Sequence, residues 1–157
     1  MQERIGYAEA LQQLKQVVTR DGVRAALGYL NQVAGVRYSA LYRFDDVTLH
    51  NLYFVDRDDP SVESTADIPV LASYRVFVRE SGRRFTVDDS RSDERLGNHP
   101  KRRQIRSYCG VPLVDASGRV FGTVCHFDPE PVNVRAEDIE LLEALAPLLK
   151  TAATDSE

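Results

Sequence analysis

Three sets of residues in this 157-residue chain could do chemistry. The first is aromatic. Tyr38, Tyr42 and Phe44 recur at alternate positions, so in an extended chain they share one face. Such a face either fills a core or floors a pocket in which tyrosine hydroxyls orient a ligand. The second set is basic. Nine of the 20 Lys and Arg residues fall between positions 79 and 106, giving that window a balance of +4 against −8 for the rest of the chain. Such a stretch is either a solvated surface with ion pairs of little worth or a source of guanidinium groups for an anionic ligand. Arg95 and Arg103 are the candidates for the second use. The third set is Cys109, Cys125, His50, His99 and His126.

These thiols and imidazoles have no metal-type spacing, apart from the adjacent pair Cys125-His126. Neighbours in a strand point to opposite faces and do not easily share one ion, so no metal or other cofactor is expected. Cys109 and Cys125 lie on two consecutive strand patterns. A three-residue loop Ala116-Ser117-Gly118 pairs Asp115 with Arg119. Counting outward, Leu113 meets Phe121, Val111 meets Thr123 and Cys109 meets Cys125. A loop one residue longer or shorter sends the two thiols to opposite faces. Opposed, they could form a redox pair; otherwise they are small buried hydrophobes. There is no Ser-His-Asp arrangement, P-loop or dinucleotide glycine pattern.

The elements that must position these groups alternate in period. Helical spacing covers Tyr7 to Val18 and Val23 to Ala34, broken at Asp21-Gly22 and ended at Gly35. Val36 to Phe44 and Val47 to Val55 read as a hairpin turned by Asp45-Asp46. Pro69 to Arg79 reads as a helix with Leu71, Tyr74 or Arg75, and Val78 on one face, stopped by Ser81-Gly82. Arg84 to Val87 is a short strand. The long polar run from Asp88 to Ser107 should contain a short helix near Lys101 to Arg106. Tyr108 to Val114 and Arg119 to Phe127 are the clearest strands. A last helix carries Ile139, Leu142 and Leu149, with Glu137 and Asp138 in its first turn and Pro147 kinking it.

The expected fold is therefore α+β: an antiparallel sheet of five to six strands, terminal helices on one face, and a helix and loop segment over the other. Residues 1–150 form one domain and 151–157 a frayed tail. No apolar run approaches the ~20 residues of a membrane span. No secretory segment opens the chain, and two cysteines suit a reducing compartment, so a cytoplasmic protein is expected. A net charge of −4 argues against general nucleic-acid binding.

The run Tyr108-Cys109-Gly110-Val111-Pro112-Leu113-Val114, then Val120 to Asp128 with Gly122-Thr123, then Glu137-Asp138-Ile139-Glu140-Leu141-Leu142 resembles the GAF domain, a small-molecule sensor relative of the PAS fold. The resemblance covers roughly residues 7 to 150. Tyr42-Arg43-Phe44-Asp45 and Asp67-Ile68-Pro69 are similar to pieces of the bilin-binding GAF domains of phytochromes. The His, often with a Cys beside it, that those domains carry ahead of the Gly-Val strand has no counterpart in Arg102-Arg103-Gln104-Ile105-Arg106. The Asn-Lys…Phe…Asp-Glu signature of cyclic-nucleotide GAF domains is not matched either, since His99 follows Asn98.

The resemblance implies a stand-alone sensory domain, not an enzyme, with an unidentified small ligand between the sheet and residues 67–107. The candidate pocket residues are Tyr38, Tyr42, Asp67, Tyr74, Arg95, Arg103, Tyr108, Cys109, Cys125 and His126. The signal would pass through the terminal helices to a second copy or a signalling partner. Free methionine sulfoxide reductases share this fold, so a thiol-based reductase is one alternative; a ligand-free dimerisation or docking module is another.

Overall fold

The computed structural model describes residues 5–149; the proposed tail at 151–157 lies outside them. Two helices come first, α1 (Tyr7–Asp21) and α2 (Val23–Ala34). The strands β1 (Tyr38–Asp45), β2 (Thr48–Asp56) and β3 (Ile68–Pro69) follow, then α3 (Arg75–Ser81) and β4 (Phe85–Val87). The described residues close with β5 (Ser107–Val114), β6 (Val120–Asp128) and α4 (Ala136–Leu145), which tightens into a 3-10 turn at Ala146–Leu149 beside Pro147. The strands form one six-stranded sheet in the order β3-β2-β1-β6-β5-β4, and every pairing is antiparallel. The expected α+β architecture is what forms.

The two sheet faces are covered differently because alternation sorts the side chains. Leu41, Cys109, Val111, Leu113 and Val124 face one way. They are buried with Ala10 and Leu14 of α1, Leu27 and Leu30 of α2, and Leu141, Leu142 and Leu145 of α4. The apolar stripes of these helices are thus spent inside the chain. The other face carries Ala40, Tyr42, Phe44, Tyr108 and Cys125, covered by Val70, Tyr74, Val76 and Val78 and by Leu96 of the long segment. Among the described residues no helix is long and apolar enough to cross a membrane.

Three expectations need correcting. The helix foreseen from Pro69 to Arg79 is split. A 3-10 turn at Val70–Ala72 ends on Ser73, which is extended, and Ser73 Oγ accepts the Arg75 N–H at 3.1 Å. A serine hydroxyl offering the backbone a local acceptor competes with the helix. The split leaves Leu71 exposed and turns Tyr74 and Arg75 both inward. The short helix foreseen near Lys101 to Arg106 is only a turn, while 3-10 turns stand at Ser90–Ser92 and Glu94–Leu96.

The third correction is the β5–β6 register. The turn forms as foreseen: Asp115 N donates to Arg119 O at 2.9 Å, and Asp115 Oδ1 accepts from the amides of Ser117 at 2.9 Å and Arg119 at 3.0 Å. Beyond it Val114 meets Val120 but Leu113 meets Gly122, so Phe121 is an extra, bulged residue. The bulge shifts everything further out by one position: Cys109 lies opposite His126, and Cys125 opposite Gly110.

Candidate functional site

A cavity of about 280 Å³ lies between the sheet and the segment that covers its second face. Its floor is aromatic. Tyr38 and Tyr42 come from β1, Phe54 from β2, Tyr108 from β5 and Phe127 from β6. Tyr38 stacks on Phe127 at 5.0 Å between centroids and leans on Phe54 at 5.5 Å. The roof is Thr65, Ile68, Ser73, Tyr74 and Arg75, with Lys101 and Ile105 from the long segment.

Side-chain to backbone bonds fix the roof. A bulge at Leu52 interrupts the β1–β2 ladder between Leu41–Tyr53 and Tyr42–Asn51. Buried Asn51 spans it, donating to Tyr53 O at 3.0 Å and accepting the Thr65 N–H at 3.1 Å. Tyr74 Oη donates to Ile105 O at 2.9 Å, tying the two halves of the roof together. Behind them Arg102 donates to the carbonyls of Ser90 at 2.9 Å and Gly97 at 2.7 Å. Arg106 grips Asp89 through two bonds, at 3.1 and 2.7 Å. Much of the basic stretch is thus used to hold an irregular backbone in shape.

Arg75 is the unusual member. It is 5% exposed and the only arginine among the buried residues described. Nη1 donates to Ser73 Oγ at 2.9 Å and Nη2 to Cys125 Sγ at 3.1 Å. Its guanidinium carbon stands 4.0 Å from the centroid of the Tyr42 ring and 4.9 Å from that of Phe127. Nε has no hydrogen-bond partner, and neither does the buried hydroxyl of Tyr108. Burial works against the charge, while the Cys125 sulfur and the phenols of Tyr42 and Tyr108 work for it, and the net shift is upward. Arg75 is a buried cation with no carboxylate partner among the described residues.

The middle and C-terminal parts of the chain, residues 20–152, match the model of the GAF domain family. The chain belongs to the GAF domain family. Its fold is shared with solved members at low identity. The GAF domain of an Acinetobacter phosphoenolpyruvate-protein phosphotransferase superposes with a TM-score of 0.72 at 12% identity, covering 96% of this chain and 94% of that one. A free methionine-R-sulfoxide reductase from Neisseria meningitidis, solved in complex with its substrate, gives 0.72 at 20% identity over 96% and 89%. The phycocyanobilin-bound GAF domain of a cyanobacterial phytochrome gives 0.68 at 15% identity over 98% and 97%. No curated protein matches.

In this GAF domain the residues singled out from the sequence part company. Tyr38, Tyr42, Tyr74 and Tyr108 line the cavity. Asp67 does not; half-exposed, it meets His50 Nδ1 at 2.9 Å. Arg95 is on the outer surface, bonded to Asp93 Oδ1 at 2.9 Å and Thr86 O at 2.6 Å. Arg103 is exposed along a separate surface groove with Arg91, His99 and Arg102. Cys125 faces the cavity side beneath Arg75, and Cys109 faces the terminal helices.

Both thiols are fully buried and pushed up by desolvation, Cys125 against the pull of Arg75. They stand on opposite faces of the sheet, so they do not form the redox pair considered from the sequence. His126 is also on the helix side. Its Nδ1 lies 2.6 Å from Ser39 Oγ, which accepts from Asn31 Nδ2 at 2.9 Å. Burial pulls this imidazole down to about 4, against the opposing charge of Asp138. It is therefore neutral, and it shares one hydrogen bond with the serine hydroxyl. No group of three or more His, Cys, Asp or Glu side chains among the described residues could hold a metal.

Sequence reasoning passed over Arg75, Ser73, Phe54, Ile105 and Phe127 as site residues. The alternation in β6 was signal enough for Phe127, which falls on the Cys125 side. Arg75 carried no such mark, because its inward turn follows from the break at Ser73.

Proposed function

We propose that this GAF domain is a ligand-binding regulatory module rather than an enzyme, and that its cavity between the sheet and residues 65–105 takes one small organic molecule. The observation that carries this reading is the hollow itself. A concave space walled by six aromatic rings and a few polar groups is the usual form of a small-molecule site. Its volume is near the lower end of the roughly 300–1,000 Å³ of such sites, so the ligand is small. An extended tetrapyrrole does not fit the space as it stands. A ligand-free docking piece has no use for the hollow. A thiol reductase is disfavoured because its two candidate sulfurs are buried and separated by the sheet.

Ligand contacts to Tyr74, Arg75, Lys101 and Ile105 would favour one arrangement of the roof, and a partner could read that arrangement by contact. A second copy belongs to the same reading. Since the apolar stripes of α1 and α4 are already covered, it would meet their outer, largely polar faces. Native mass spectrometry of protein purified from its own cells, followed by a thermal-shift screen of metabolites, tests the ligand. The expected result is a retained small molecule, or a class of compounds that raises the melting temperature. A ligand at a hundred times its Kd adds about 2.7 kcal/mol of stability. A protein that retains nothing and responds to no compound class would end the reading.

A further inference from the structure

The lining of the cavity is electrically one-sided. Its twelve residues include two cations, Arg75 and Lys101, and no Asp or Glu. Lys101, half-buried at the edge, meets the neutral Gln104 Oε1 at 3.2 Å and no acid among the described residues. Arg75 is buried against neutral groups alone: a serine hydroxyl, a thiol sulfur and aromatic rings. Other arginines that approach the interior of this fold are only partly buried and meet an acid or backbone carbonyls. Arg106 has Asp89, Arg135 has Asp138 and Arg37 has Asp56, while Arg24, Arg79 and Arg102 donate to carbonyl oxygens. A buried charge without a counter-charge is costly, and cation–π contacts return only part of that cost.

We propose that the missing counter-charge is supplied by the ligand: a small, flat aromatic acid whose single carboxylate is held by Arg75. This rests on the reading of the cavity as a binding site and adds the chemical class of what binds. Two further observations point the same way. A guanidinium has five N–H donors. Arg75 uses one on Ser73 and one on Cys125, and its Nε–H has no partner, so donors remain for the planar fork that suits a carboxylate. The floor around it is a set of ring faces, with Tyr38 stacked on Phe127 and the Tyr42 ring under the guanidinium, which favours a flat ligand body. The small volume and the single fully buried cation suit one carboxylate better than a polyphosphate. Lys101 adds a weaker pull at the edge.

The test uses the full chain and matched probes. Benzoate, phenylacetate and indole-3-acetate are each titrated beside the corresponding carboxamide, by calorimetry and thermal shift. Wild-type protein should bind at least one acid about 10- to 100-fold more tightly than its amide, the range expected for a hydrogen-bonded charge. Arg75→Met should erase that discrimination while leaving the far-ultraviolet dichroism of the free protein unchanged. Arg75→Lys, which keeps the charge but not the fork, should retain part of it and covers the case in which R75M does not fold. Any molecule retained in native mass spectrometry should be an acid.

Acid and amide binding equally well, discrimination surviving in R75M or a retained neutral molecule would overturn the carboxylate assignment while leaving the cavity as a binding site. No binding by any probe together with no retained molecule would remove both.

Discussion

Single residues in this domain are set by what they are buried against. His126 illustrates the point on the helix side of the sheet. Its folded value of about 4 lies below the ordinary 6.5 because the ring is 1% exposed. Between those two values the unfolded chain binds the proton that the folded chain refuses, so stability rises with pH across that window and falls as pH drops from 6.5 toward 4. The gap corresponds to about 3 kcal/mol at full protonation. Chemical denaturation from pH 7 to pH 4 should show this slope, and His126→Gln should flatten it. An unchanged slope in the variant would show that other groups carry the acid sensitivity. Arg75 is the counterpart on the cavity side. It lies ahead of the basic stretch 79–106, and the sequence pointed instead to Arg95 and Arg103, which meet Asp93 and the surface.

At the scale of elements, the strands demand glycine at two close approaches. A Cβ on Gly122 would meet the Tyr42 carbonyl oxygen at 2.6 Å and Leu113 Cδ1 at 3.0 Å. One on Gly110 would meet the Tyr108 hydroxyl at 2.2 Å and its ring carbons at 2.7 and 2.9 Å. The first obstacle is backbone and the second a ring that must swing away from the cavity wall. Both substitutions to alanine should destabilise, G110A by about 1–3 kcal/mol as an overpacked core, and G122A by more. Urea titration ranks them, and G122A proving the milder would contradict this packing. G110A should also weaken ligand binding, because Tyr108 is part of the floor. The two bulges, at Leu52 and Phe121, were not readable from alternation. One extra residue leaves the apolar pattern on each side intact while exchanging the faces beyond it. The turn residues Asp115 to Arg119 were readable because an aspartate side chain and a glycine specify that loop locally.

For the whole molecule, the covering of the two faces divides the labour. Three helices seal one side with aliphatic packing, and the other side is closed by short, irregular pieces held by arginine and tyrosine bonds to carbonyls. The second kind of cover is the kind that local opening reaches first. If the outer faces of α1 and α4 carry the signal to a second copy, light scattering should give the mass of a dimer, and substitutions on those faces should halve it. A monomer at high concentration would remove that part of the proposal.

Residue order alone was enough for the period of nearly every element, the antiparallel sheet, the helices on one face and the membership that Gly110-Val111-Pro112-Leu113 and its partners suggested. These follow from local rules, since alternation, helical spacing and turn chemistry act over a few residues. Packing at long range settled which tyrosines meet, that Cys109 and Cys125 are parted by the sheet, and that Arg75 is the arginine buried without an acid among the described residues. Those outcomes depend on two bulges and one serine-broken helix, each a shift of a single residue. Contacts between distant strands turn such shifts into a different face for every side chain beyond them.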